Sequence, residues 1–181
     1  MDIVSHALWG AAAGEHLRRK GLIDARGVAV TAALAAAADL VSFVPAFAWS
    51  LGEPQPLAAM WAYIAATPGH EPIPAALNTL SHNLHCVTHS LVIAAAVTLV
   101  AWRARPRWLP LLAGWWLHIV MDIPTHSSDY YAVPVFYPLS DWAVNGVAWT
   151  TPWVMALNCA ALAVVFIALF VSQPRRAAVP R

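Results

Sequence analysis

His118, Asp122 and His126 follow one another at four-residue spacing inside the otherwise apolar run GWWLHIVMDIPTH, residues 114–126. On a helix, positions i and i+4 share a face, so His118 and Asp122 point the same way. Ionisable groups in a segment apolar enough to lie in lipid are costly, so they face a protein interior and serve a function. Asp39 and the pair His85/His89 interrupt two further apolar runs and need the same explanation. Imidazole nitrogens and carboxylate oxygens are the ligand set of zinc and related divalent ions. Such an ion also neutralises carboxylates that would otherwise be protonated in an apolar medium. The candidate metal ligands are therefore His6, Asp39, His89, His118, Asp122 and His126. Zinc is the expected ion, one or two per chain, with manganese as the other cation that suits these donors. Asp122, flanked by two histidines, is the natural bridge between two ions. Asp39 and Asp122 are the candidate catalytic carboxylates, with Asp39 placed to activate water.

The other polar residues have plainer readings. His85 reads as a hydrogen-bonding or packing residue, and His16 as an interface residue beside Glu15. His70 and His82 fall in a loop and read as solvated. Asp129 and Asp141 cap turns or anchor the second long loop, or join the metal. Cys86 and Cys159 lie in apolar runs and read as small packing residues without a disulfide. Ser81, Ser90 and Ser127 each sit near a histidine, but none has the Gly-x-Ser-x-Gly context of a hydrolase nucleophile.

The segments that must carry these residues follow from composition. The chain has 181 residues, 60% hydrophobic and 10% charged, where a soluble protein has roughly 25% charged residues. That places it in a membrane. Its ten tryptophans suit interface belts. No basic surface for nucleic acid exists, and membrane lipid is the expected surrounding. The fold class is an all-α integral membrane bundle of about five spanning helices, range about four to six, in a single domain over 1–181. Residues 2–17 form a short first helix. Spans follow at about 27–51, from near His85 to Trp102, at 108–123 and at 151–171. Pro45 is expected to kink or end the second. Outer loops are expected at 52–84, where Pro68 is one of several breakers and Met60–Ile64 an interfacial helix or lid, and at 127–150. A tail follows at 172–181. Asp2 stands where a signal peptide would be basic.

Every lysine and arginine falls between 18 and 26, between 103 and 107, or in the tail at Arg175, Arg176 and Arg181. With five spans these segments share one face, which the positive-inside rule makes cytoplasmic. The N-terminus and both long loops are then outside and the C-terminus is cytoplasmic. At 1.5 Å per residue, Asp122 lies roughly 21 Å along its span from the inner side and Asp39 roughly 18 Å, while His89 lies roughly 6 Å from the outer end. His6 and His126 are also near that end. The six candidates can gather in the outer half.

The motifs Met1–Asp2–Ile3–Val4–Ser5–His6–Ala7–Leu8–Trp9–Gly10, Ala38–Asp39–Leu40, Thr88–His89–Ser90–Leu91 and His118-x-x-x-Asp122, in that order, resemble the YdjM-like inner-membrane proteins. The resemblance covers most of the chain through short motifs. Ala38 stands where many members have proline, and Cys86–Val87 where Arg-Gly is common, so the chain looks like a divergent branch. The stretch Tyr137–Trp142 with Asn145–Val147 resembles the outer loop of that branch. The family is described as membrane-bound metal-dependent hydrolases and also as LexA-binding, which implies a regulatory protein partner. More remotely, the order of histidines and aspartates is similar to zinc-dependent phospholipase C and single-strand-specific nucleases. That likeness implies Asp39, His89, His118 and Asp122 on one ion, His6 and Asp122 on a second, and His126 at a third. The further His-x-x-x-Glu/Asp of those enzymes is absent, Asp141-x-x-x-Asn145 being its only echo, and no free N-terminal tryptophan exists here.

The expected function is a metal-dependent hydrolase of the bacterial inner membrane. Its site opens to the outer face, and the remote likeness implies phosphoesters or lipids as substrates. The competing readings are a proton or divalent-ion transporter, which would need polar groups in the inner half as well, and a non-catalytic scaffold or regulatory partner.

Overall fold

The computed structural model describes residues 1–66, 69–129 and 131–172. Pro68 and the tail residues beyond Ser172, with Arg175, Arg176 and Arg181, lie outside the described residues. The fold is all-helical, with seven α-helices and no strand among the described residues; Pro134 and Ala143 form an isolated bridge. Helix α1 spans Ile3–Arg19 and is capped by Asp2, whose carboxylate accepts the Ser5 N–H at 2.9 Å. Helix α2 spans Ala25–Ser50, capped by Asp24 on the Gly27 N–H at 2.8 Å. Then come α3 (Pro56–Ala65), α4 (Ala75–Thr88) and α5 (Leu91–Ala104). A 3-10 segment (Pro106–Leu112), α6 (Ala113–Thr125) and α7 (Pro152–Val171) complete the chain.

Pro45 is buried inside α2 and does not end it; the helix runs on to Ser50, close to the expected end of the second span. Three features differ from the sequence-based expectation. The stretch 52–84, expected as a loop with an interfacial helix or lid at Met60–Ile64, holds α3 around those residues and, beyond the expectation, most of α4. The apolar run after it does not start a fresh helix near His85. Instead α4 is already underway, ends at Thr88, and meets α5 at a bend of 58°. Ser90 causes the break: its hydroxyl accepts the N–H groups of Val92 and Ile93 and so starts a new helix. The helix expected from Trp108 begins at Ala113, because Pro106 and Pro110 withhold two N–H donors and leave a 3-10 segment before it.

Among the described residues, two helices, α2 and α7, are long and apolar enough to cross a membrane, and α4 with α5 passes the same test as one bent pair. Helix α6, with 13 residues, covers only about 20 Å of the roughly 30 Å lipid core by itself.

Small residues decide how the helices meet. Gly10 and Gly14 lie one turn apart on α1, and a Cβ at Gly10 would stand 2.6 Å from Cβ of Ala35 on α2. A Cβ at Gly114 of α6 would stand 2.0 Å from the Thr31 carbonyl oxygen of α2. These glycines allow backbone-to-backbone approach, the packing mode of helices in lipid. Helix α7 joins α1 through Asn158, which accepts from Trp9 Nε1 at 2.9 Å and donates to Ser5 Oγ at 2.8 Å. At the other end of α1, Arg19 donates to the Leu169 carbonyl and, at 2.7 Å, to Ser172 Oγ.

Candidate metal centre

Three helices bring their ligands in by the same pattern. On α6, Gly114, His118 and Asp122 follow at i, i+4 and i+8. On α2, Thr31, Ala35 and Asp39 do the same, and on α1 His6, Gly10 and Gly14 do so in the opposite order. The small residues allow close crossing, and the ionisable residue emerges just past the crossing. His89 comes from the α4–α5 break, which Thr88 ties to α2 by donating its hydroxyl to the Ala38 carbonyl at 3.0 Å.

Asp39, His89, His118 and Asp122 converge, each offering one ligand atom, all within 4.8 Å of one another and all buried. His118 Nδ1 lies 2.6 Å from the Ala35 carbonyl oxygen, and His89 Nδ1 lies 2.9 Å from the His85 carbonyl oxygen. A carbonyl only accepts, so both Nδ1 atoms carry a proton, which leaves Nε2 as the ligating atom of each ring in its neutral form. Those two Nε2 atoms face each other at 2.8 Å. Asp122 Oδ2 stands 3.3 Å from His89 Nε2 and 3.2 Å from His118 Nε2, and Asp39 Oδ1 stands 3.5 and 3.7 Å from them. Two imidazole nitrogens and two carboxylate oxygens aimed at one point form a donor set that a shared cation would hold together. Metal-bound histidines commonly donate their other ring N–H to a backbone carbonyl, as these two do. Asp122 Oδ2 has no hydrogen-bond partner although fully buried. The donors therefore fit a divalent ion.

His6 and His126 flank this group differently. His6 is fully buried, with Nε2 3.0 Å from Asp122 Oδ1 and 3.9 Å from Asp39 Oδ2, yet neither ring nitrogen makes a hydrogen bond. Its ring lies on that of His118, centroids 3.7 Å apart. His126 is held by its Nδ1, 3.1 Å from the Asp122 carbonyl oxygen, with its ring 6.4 Å from that of His89. Asp129, Asp141 and His70 are exposed and stand outside the group of four.

Two participants escape the sequence reading. The α-amine of Met1 donates to Asp122 Oδ1, a contact that a side-chain inventory does not include. His85, read as a packing residue, is buried with its ring 3.9 Å from that of His89 and its Nε2 without a partner. Its spacing of four residues before His89 was the available signal.

A cavity of about 630 Å³ adjoins the centre. Of the four converging residues, Asp39 alone lines it, together with His85 and His126.

A family model described as YdjM inner membrane protein matches residues 1–179. No curated protein and no solved structure matches the chain.

Proposed function

The chain belongs to the YdjM inner membrane protein family, and from that premise we propose that it is a membrane-embedded, metal-dependent hydrolase. The observation that carries this reading is the convergence of Asp39, His89, His118 and Asp122 within 4.8 Å in a buried position, with both histidine Nε2 atoms turned inward. A divalent ion bound there supplies Lewis acidity and makes water more acidic. The Ala35 and His85 carbonyls fix the two imidazoles in the ligating tautomer. His6 lies against Asp122 and orients it. Asp39 lies between the centre and the cavity, so it is the carboxylate that meets an incoming water and takes its proton. The substrate class, a phosphoester or lipid ester, rests on the remote likeness to zinc-dependent phospholipases.

In the membrane, five crossings formed by α1, α2, the bent α4–α5 pair, α6 and α7 place the centre towards the outer face. The basic residues Arg18, Arg19, Lys20, Arg26, Arg103, Arg105 and Arg107 then line the inner face.

The test is metal content of detergent-purified protein by inductively coupled plasma mass spectrometry, wild type against His118→Ala and Asp122→Ala. One or two zinc or manganese ions per chain in the wild type, lost in both variants, is the expected result. Wild-type protein that stays metal-free after reloading would overturn the reading.

A further inference from the structure

The cavity beside the centre has an apolar wall, an acidic rim and no lysine or arginine among its described lining residues. Phe43 of α2 and Tyr63 of α3 form one wall, their rings edge to face at 6.1 Å, and Val4 and Ile64 continue it. Helix α3 carries this wall outward. Its ten residues include Leu57 and Trp61, which are 81% and 68% exposed. A short, apolar, outward-facing helix that also lines a cavity joins the cavity to the hydrocarbon of a membrane.

Next to this wall the lining is polar and negative. Glu71 accepts from the Gly69 N–H at 2.9 Å, from Asn78 Nδ2 at 3.0 Å and from the Tyr131 hydroxyl at 2.9 Å. Burial raises its carboxyl, but the bonds from its own backbone, Tyr131, Gly69 and Asn78 outweigh burial and leave it below its ordinary value. Glu71 is thus a carboxylate at neutral pH. Tyr131 reaches it from a backbone with φ 47°, a left-handed value costly for a tyrosine. Asp2 and Asp39 add two more carboxylates to the lining, and no lysine or arginine among the described residues lines it. Between Glu71 and the centre stands His85, 6% exposed, its Nε2 without a hydrogen-bond partner and its ring 6.1 Å from that of Tyr131.

We propose that this cavity binds an amphiphile whose head group donates hydrogen bonds and carries no negative charge. Its hydrocarbon chain lies along the α2–α3 wall and its head group lies between Glu71 and His85. The cavity volume falls within the roughly 300–1,000 Å³ that encloses a small ligand. An anionic head in that position would face the Glu71 carboxylate with no lysine or arginine among the described lining residues, the Met1 ammonium being taken up by Asp122, whereas hydroxyl or ammonium groups meet acceptors. The inference rests on the reading that the centre acts on a membrane-derived substrate, and of the two classes named for it selects the uncharged lipid ester over the anionic phosphoester; the binding it claims does not need the metal.

The experiment is native mass spectrometry of the full chain in non-ionic detergent. It compares monooleoylglycerol, oleylamine and oleoyl-lysophosphatidylglycerol, with metal-loaded and with chelator-stripped protein. Monooleoylglycerol and oleylamine are expected to bind one site on the order of tenfold more tightly than the anionic lipid, in both metal states. Glu71→Lys should reverse that order. Glu71→Gln, nearly isosteric, should flatten it while leaving the helical circular dichroism unchanged. Equal or tighter binding of the lysophosphatidylglycerol, an order untouched in Glu71→Gln, or no binding of any probe overturns the proposal. Preserved probe order in protein that takes up no metal would remove the hydrolase reading and leave this site standing.

Discussion

At the scale of single residues, the centre depends on what each imidazole does with its second nitrogen. His118 and His89 spend Nδ1 on the carbonyls of Ala35 and His85, so the ligating nitrogen is chosen by backbone geometry. His6 has no such tether and stands against Asp122 instead. His6→Ala is therefore expected to keep metal stoichiometry at the principal site and to weaken affinity by about 10–100-fold, as loss of an orienting group does. Competition with a graded series of chelators measures this. Glu71 gives a pH prediction outside the membrane-spanning segments. Its folded-state value is lowered below 4.5, so its stabilising bonds are fully present above that value and are lost as pH falls through the lowered one. The protection factor of the Gly69 amide, which donates to Glu71, should hold at neutral pH and collapse under strong acid. Protection unchanged into strong acid would contradict it.

At the scale of elements, the site is a by-product of close helix crossing. Gly114 touches the Thr31 carbonyl, Gly10 touches Ala35, and the ligands sit one turn beyond. Gly114→Val must push α6 from α2, since its Cβ would fall 2.0 Å from backbone oxygen. The expected cost is about 1–3 kcal/mol of stability, typical of overpacking. Metal content should fall with it, although no ligand is changed. Thermal unfolding in detergent together with metal analysis checks both; full metal occupancy in that variant would show that α6 is not positioned by this contact. The α4–α5 break makes a related point. Ser90 stops one helix and starts another, which turns His89 inward where a continuous helix would carry it past Asp39 and Asp122.

At the scale of the whole molecule, charge and chemistry separate to opposite ends. Arg19 reaches the last turn of α7, and Lys20, Arg26 and the arginines of 103–107 cluster where α1 ends and where α2 and the 3-10 segment begin. The centre and the cavity, with Ser128, Tyr131, Ala132 and Trp149 in its lining, lie towards the other ends of these helices. For a membrane protein of this family, the proposed arrangement predicts a cytoplasmic C-terminus. A green fluorescent protein fused after residue 181 should fluoresce, and alkaline phosphatase at the same place should be inactive; the reverse pattern would invert the topology.

The sequence by itself carried the membrane class, the helical fold, the partition of basic residues and the identities of His118, Asp122, Asp39 and His89. These are legible because lipid penalises each stray charge, so every ionisable residue in an apolar run is a signal. The i, i+4 spacing of His118 and Asp122 placed both on one face before any coordinates. Tertiary structure alone decided the rest. Whether His6 and His126 touch the group of four depends on how α1 and the end of α6 lean. The choice of ligating nitrogen depends on where the Ala35 and His85 carbonyls fall. The full extent of the helix at Pro56–Ala65 and the early start of the one at Ala75–Thr88 were hidden by prolines, which mark helix starts as readily as loops. The roles of His85, Glu71 and Tyr131 arise from contacts across 60 residues of chain, as the Tyr131–Glu71 bond does. Such pairings are set by packing, which local pattern does not encode.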